Sequence, residues 1–218
     1  PPRSTLFPYT TLFRSYFSDS MTYAARERIA MESRLRKAIA QNELRLYFQP
    51  QIDIASGALV GAEALVRWQC PDEVLIQPGR FIPIAEQSSL IEAIGEWVIR
   101  ETCRQGQRWI HAGLPPLTLA VNVASRQFMR GDLVDRLAAV LEETGFPAHC
   151  LELEMTESTF MEHEARVIDI LGRLRALGIR LAIDDFGNGY SSLAYLKRFP
   201  LDVMQIEKSF GDDIPCMS

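Results

Sequence analysis

From Tyr23 to about Gln41 apolar residues recur at helical spacing. Met31, Leu35, Ala38 and Ile39 form one stripe and charged residues fill the rest, which predicts an amphipathic helix. The period then drops to two: Leu44 to Ile52 (LRLYFQPQI) and Ala58 to Trp68 (ALVGAEALVRW) predict strands joined by a turn at Ser56-Gly57. The next stretch, PGRFIPIAEQ, carries two prolines and reads as a loop. Ser89, with Glu92 three residues on, has the spacing of a capping box opening a long helix. Its buried face is Leu90, Ile94, Trp97 and Val98, and Gly113 with Pro115 ends it.

After that the rhythm is regular. A strand at Leu117–Ala124 precedes a helix bearing Leu133, Leu137, Val140 and Leu141, closed by Gly145 and Pro147. A strand at Cys150–Glu157 precedes a helix bearing Val167, Leu171 and Leu174, closed by Gly178. A strand at Ile179–Phe186 precedes a short helix near Ser191–Arg198 and a last strand in FPLDVMQIEKSF, where Val203, Gln205 and Glu207 share a face. Strands alternating with amphipathic helices predict an α/β fold around a parallel sheet; an open doubly wound sheet and a closed (β/α)8 barrel both fit. No G-x-G-x-x-G turn follows the first strand, which counts against a dinucleotide-binding sheet.

In either architecture ligands gather at the carboxyl ends of the strands. The second strand brings Glu63, Leu65 and Arg67 there on one face, and the third brings Asn122. The fourth brings Glu154 and Glu157, the fifth Asp184 and Asp185, and the sixth Gln205 and Glu207. One strand-end acid is ordinarily a cap or a surface charge. Five successive strands supplying carboxylates or carboxamides to one rim would repel strongly unless protons or cations compensate. An all-oxygen donor set without His or Cys points to hard divalent ions such as Mg²⁺ or Mn²⁺, and paired ions of that kind hydrolyse phosphodiesters. Arg67 fits either an ion pair capping the acidic rim or a substrate contact. The Asp-Phe-Gly at Asp185 is also a kinase signature, but the other kinase motifs are absent, and Gly187 and Gly189 fit a tight turn at a site mouth.

Composition bounds this picture. The 218 residues are 47% hydrophobic and 23% charged with net charge −5, which fits a globular domain and argues against a grip on long nucleic acid. Cys70, Cys103, Cys150 and Cys216 are scattered and read as reduced thiols of a cytoplasmic protein. His111, His149 and His163 are isolated and take no chemical role. No apolar run approaches the about 20 residues a membrane span needs. Residues 1–15 repeat Thr-Leu-Phe and Arg-Ser and resemble translated sequencing-adapter sequence, the alternative being a disordered natural tail.

With those residues in view, the chain resembles the EAL domain, the bacterial cyclic di-GMP phosphodiesterase family. YFQP, EALVRW, FIPIAE, VNVA, LELEMTES, DDFGNGYSSL and PLDVMQIEKSF stand in the family's order and spacing over about Met31 to Pro215. Residues 16–42 look like the connector that follows a GGDEF domain in tandem GGDEF–EAL proteins, with the EAL domain at 43–218. The resemblance implies a TIM-like (β/α)8 barrel whose first strand is antiparallel to its neighbours. It implies hydrolysis of cyclic di-GMP to linear pGpG with two Mg²⁺ or Mn²⁺ ions. By motif, Glu63, Asn122, Glu154, Asp184 and Asp185 match metal ligands, Glu157 matches an acid that orders a site loop, and Gln49, Leu65 and Arg67 match substrate contacts. Members often work as homodimers, which the residues themselves do not establish.

Two departures stand out. The family's Lys-Ile-Asp on the last strand reads Gln205-Ile206-Glu207 here, and glutamine carries neither charge nor a transferable proton. Loss of such a group typically lowers a rate by about 10²–10⁴. The chain also stops after about the sixth strand, short of a family glutamate and glutamine farther on, so a barrel truncated there is expected. The leading expectation is therefore a phosphodiesterase domain impaired at Gln205. The rival is a degenerate EAL module that binds cyclic di-GMP or a protein partner without cutting.

Overall fold

The computed structural model describes residues 9–71, 75–161, 164–186 and 198–206. Helix α1 (Tyr9–Ala40) leads into an antiparallel pair, β1 (Leu44–Ile52) and β2 (Leu59–Trp68). Then follow α2 (Pro78–Gln87), α3 (Leu90–His111), β3 (Thr118–Asn122), α4 (Ser125–Phe128) and α5 (Leu133–Thr144). The rest is β4 (Leu151–Thr156), α6 (Glu157–Met161), α7 (Glu164–Ala176), β5 (Arg180–Phe186) and β6 (Val203–Ile206). The strands form one sheet in the order β1-β2-β3-β4-β5-β6; β1 is antiparallel to β2, and every later pair is parallel. This is the inverted first strand that the resemblance implies.

The hydrophobic pattern explains which way each strand faces. On β2, Ala62, Ala64 and Trp68 are buried toward the helices, while Glu63, Leu65 and Arg67 alternate with them and face the other side. Trp68 packs edge-on against Phe81 of α2 and donates its indole N–H to Glu43, so the large ring is buried with its polar atom satisfied. The β1–β2 turn is held by Asp53, whose carboxylate accepts the Ser56 amide at 2.8 Å, and Gly57 takes φ 69°. Gly145 ends α5 with φ 68°, and Gly178 follows α7 with φ 87°, both conformations that favour glycine.

Several sequence expectations change. PGRFIPIAEQ is not a loop but helix α2: Pro78 sits in its first turn, where the missing N–H is harmless, and buried Phe81 and Ala85 outweigh the internal Pro83. The capping box at Ser89 is absent. Ser89 is already in a helical conformation, Ser88 Oγ instead accepts the Leu90 amide at 3.4 Å, and Glu92 pairs with Arg130. The long helix does bury Leu90, Ile94 and Val98, with Trp97 half-buried. Helix α1 starts at Tyr9, inside the segment set aside as foreign. The helix expected near Ser191–Arg198 falls, Arg198 apart, outside the described residues. Cys70, Cys103 and Cys150 are buried free thiols, and burial pushes Cys103 up to about 12.

Candidate active site

Register decides which side chains meet. Gln49 on β1 stands directly opposite Glu63 on β2, so both point to the same face. Tyr47 opposes Leu65, and Arg45 opposes Arg67. Across the parallel pairs, Asn122 of β3 is level with Glu154 of β4, and Asp184 of β5 is level with Thr156. The strand ends thus lay their polar residues along one rim, as the alternation predicts.

Side-chain contacts between strands tie that rim together. Asn122 Nδ2 donates to Glu63 Oε1 at 2.7 Å, and Gln205 Nε2 donates to Glu154 Oε1. Glu154 is 1% exposed, and its second oxygen, Oε2, is buried without a hydrogen-bond partner among the described residues. Burial, followed by the nearby Glu63 carboxylate, pushes the Glu154 carboxyl up to about 8; Asp184 and Glu152 add to this, and the Gln205 hydrogen bond opposes it. A carboxyl in that state is held neutral by its surroundings, and a cation would reverse the sign of the effect.

Not every expected residue joins the cluster. Among the described residues no three Asp, Glu, His or Cys side chains stand close enough together to grip one ion. The Asp185 side chain and all of Glu207 lie outside the described residues. Arg67 donates to the Val66 carbonyl at 2.9 Å and lies over the Tyr47 ring, 6.0 Å from its centroid. It reaches no carboxylate among the described residues; the Asp185 side chain and Glu207, the other acids of the rim, lie outside them. Glu157, 8% exposed, does not end β4 but opens the one-turn helix α6.

Beside the rim lies a cleft of about 720 Å³ that sequence reasoning missed. Leu65 and Asn122 form its border with the rim, Ile82 and Glu86 of α2 one wall, and Ile94 of α3 another. Taking α2 for a loop hid that wall; the i, i+4 pair Phe81 and Ala85 was the available signal. The volume is in the range of small-molecule sites.

Comparison with known proteins follows this geometry. The EAL domain family matches residues 32–216. The cyclic di-GMP phosphodiesterase NbdA of Pseudomonas aeruginosa is 42% identical over 200 residues, which cover 92% of this chain and 26% of NbdA. The bifunctional diguanylate cyclase/cyclic di-GMP phosphodiesterase MucR of the same organism is 41% identical over 91% of this chain and 29% of its own length. The solved MucR phosphodiesterase in complex with c-di-GMP superposes with TM-score 0.80 at 41% identity, covering 84% of this chain and 74% of that one. The chain thus spans less than a third of the length of these curated relatives.

Proposed function

The chain belongs to the EAL-domain family, and from that premise we propose that its strand-end rim is a cyclic di-GMP phosphodiesterase site yielding linear pGpG. Water adds to one phosphorus as the P–O bond to the 3′ oxygen breaks, leaving a 5′-phosphate and a 3′-hydroxyl. Divalent cations, Mg²⁺ or Mn²⁺, would activate that water and stabilise the displaced oxygen. The observation that carries the reading is Glu154: a buried carboxyl beside Glu63 and Asp184, with one oxygen unpartnered among the described residues. Oxygen donors without His or Cys suit hard cations.

Glu63, Asn122, Glu154, Asp184 and Asp185 would hold the cations, and Glu157 would order the loop beside them. Gln49, facing Glu63, would reach the substrate with Leu65 and Arg67; the Arg67 guanidinium, paired to no acid among the described residues, is available to a phosphate. Gln205 can orient a water by hydrogen bonding but cannot carry a proton. That amide, bonded to Glu154, favours a second reading, a module that binds cyclic di-GMP without cutting it. The deciding experiment is pGpG formation with Mn²⁺ for the parent and for Gln205→Lys. Turnover of the parent at a rate comparable to the lysine variant refutes impairment, and binding without turnover in both favours the receptor.

The division proposed is a connector over 16–42 and the EAL domain over 43–218, although the family match already begins at residue 32. Buried free thiols support a cytoplasmic location. No helix among the described residues is long and apolar enough to cross a membrane. Homodimer formation is a matter for light scattering on the full chain.

A further inference from the structure

The last rung between β3 and its neighbour is the Val123 amide donating to the Glu154 carbonyl at 2.9 Å. Beyond it both segments leave the sheet in the same way. Helix α4 begins three residues after Asn122, and α6 begins three residues after Glu154. Each spans barely a turn, too short to hold its own direction by backbone hydrogen bonds. Their anchors are Phe128 and Phe160, both fully buried, and one polar contact: Ser125 Oγ and Thr159 Oγ1 lie 2.7 Å apart. Thr159 is 2% exposed, and Thr156 Oγ1, at the end of β4, lies 3.5 Å from its hydroxyl.

A buried threonine with a satisfied hydroxyl is ordinarily a packing feature. Here it joins the two segments that follow Asn122 and Glu154, residues level on adjacent strands that the proposed function sets against the same cations. The geometry points to Ser125 and Thr159 as positioning residues, a hydroxyl clamp that sets the spacing of Asn122 against Glu154. It rests on the cation reading of the rim proposed above. Groups that orient metal ligands typically change affinity by about 10–100-fold when removed.

The test uses the full chain with Mn²⁺ alone as probe, reading free Mn²⁺ by electron paramagnetic resonance and amide exchange over residues 122–129. Thr159→Val keeps the shape and removes the hydroxyl; Ser125→Ala breaks the same bond from its exposed end; Thr159→Ser keeps the hydroxyl. The clamp predicts Mn²⁺ binding weakened about tenfold and faster exchange in the first two variants, with Thr159→Ser close to the parent. Should Thr159→Val fail to fold, Ser125→Ala carries the test. Unchanged Mn²⁺ affinity in Ser125→Ala, or a Thr159→Ser as weak as Thr159→Val, overturns the clamp alone. A parent that takes up no Mn²⁺ sinks the cation reading of the rim and the clamp's role with it.

Discussion

Strand β4 carries two glutamates on one face, two residues apart, with opposite circumstances. Glu152, 3% exposed, pairs with Arg180 at 3.1 Å. Glu154, 1% exposed, has among the described residues only the amide of Gln205 as a hydrogen-bond partner, and its other oxygen has none. The same contrast separates the helical surface from the rim. On α3 and α5, Glu143 sits between Arg100 and Arg104, which hold its carboxyl below the usual range, and Glu96 meets Arg100 and Arg136. Where acids serve structure, the chain supplies arginine. At the strand ends the partners among the described residues are amides, and under the proposed function the compensating charge comes from bound cations.

That contrast can be broken at several points. The largest effect is expected from the proposed cation ligands: Glu154→Ala or Asp184→Ala should weaken Mn²⁺ uptake by more than about 100-fold, whereas Arg180→Ala should leave it within a few fold. Calorimetric titration measures both. If Arg180→Ala proves as damaging as Glu154→Ala, the two ends of the strand are not functionally distinct.

Restoring a cation from within comes next. Gln205→Lys places an ammonium beside Glu154, which should draw the carboxyl down from about 8 and raise turnover by about 10²–10⁴. A pH profile of the variant showing no downward movement would argue that Gln205 is not what leaves Glu154 uncompensated.

The metal-free protein should show the same imbalance in its stability. Folded Glu154 keeps its proton to about pH 8, while the unfolded chain releases it near the ordinary glutamate value of 4.5. The folded state therefore binds more protons in that window, and stability falls as pH rises through it, by up to about 1.4 kcal/mol per pH unit, then levels off. Glu154→Gln should remove that slope and stabilise the protein at pH 8.5. Denaturant unfolding across pH 5–9 reads both, and a parallel slope in the variant would place the effect elsewhere.

The smallest changes are expected on the arginine-matched surface. Arg108→Ala, which loses an exposed pair with Glu101, should alter stability by less than about 0.5 kcal/mol and leave ion binding untouched. Arg180→Ala lies between, at about 1–3 kcal/mol, since its own side chain is 44% exposed.

Much of this rim was legible in the sequence because period-two alternation fixes the face of each strand residue. Glu63, Asn122 and Glu154 follow from that rule; the parallel register then brings Asn122 level with Glu154, and the Asn122 amide reaches Glu63. What was not legible depended on packing at a distance. Two prolines concealed α2, since local propensity weighs against a helix that Phe81 and Ala85 nevertheless pin to the core. Ser89 has the right spacing for a cap but already lies within helical geometry, and Glu92 is drawn away by Arg130. The Gln205–Glu154 bond spans 51 residues and the Ser125–Thr159 bond 34, separations that no local motif encodes.

If divalent cations neutralise the rim's negative charge, thermal unfolding of the full chain with and without Mn²⁺, at pH 6.5 and at pH 8.5, will register it. Tm should rise on adding Mn²⁺, more at pH 8.5, where Glu154 is ionised without the ion's help, and the rise should disappear in Glu154→Gln. A Tm indifferent to Mn²⁺ at both pH values would rule the cations out.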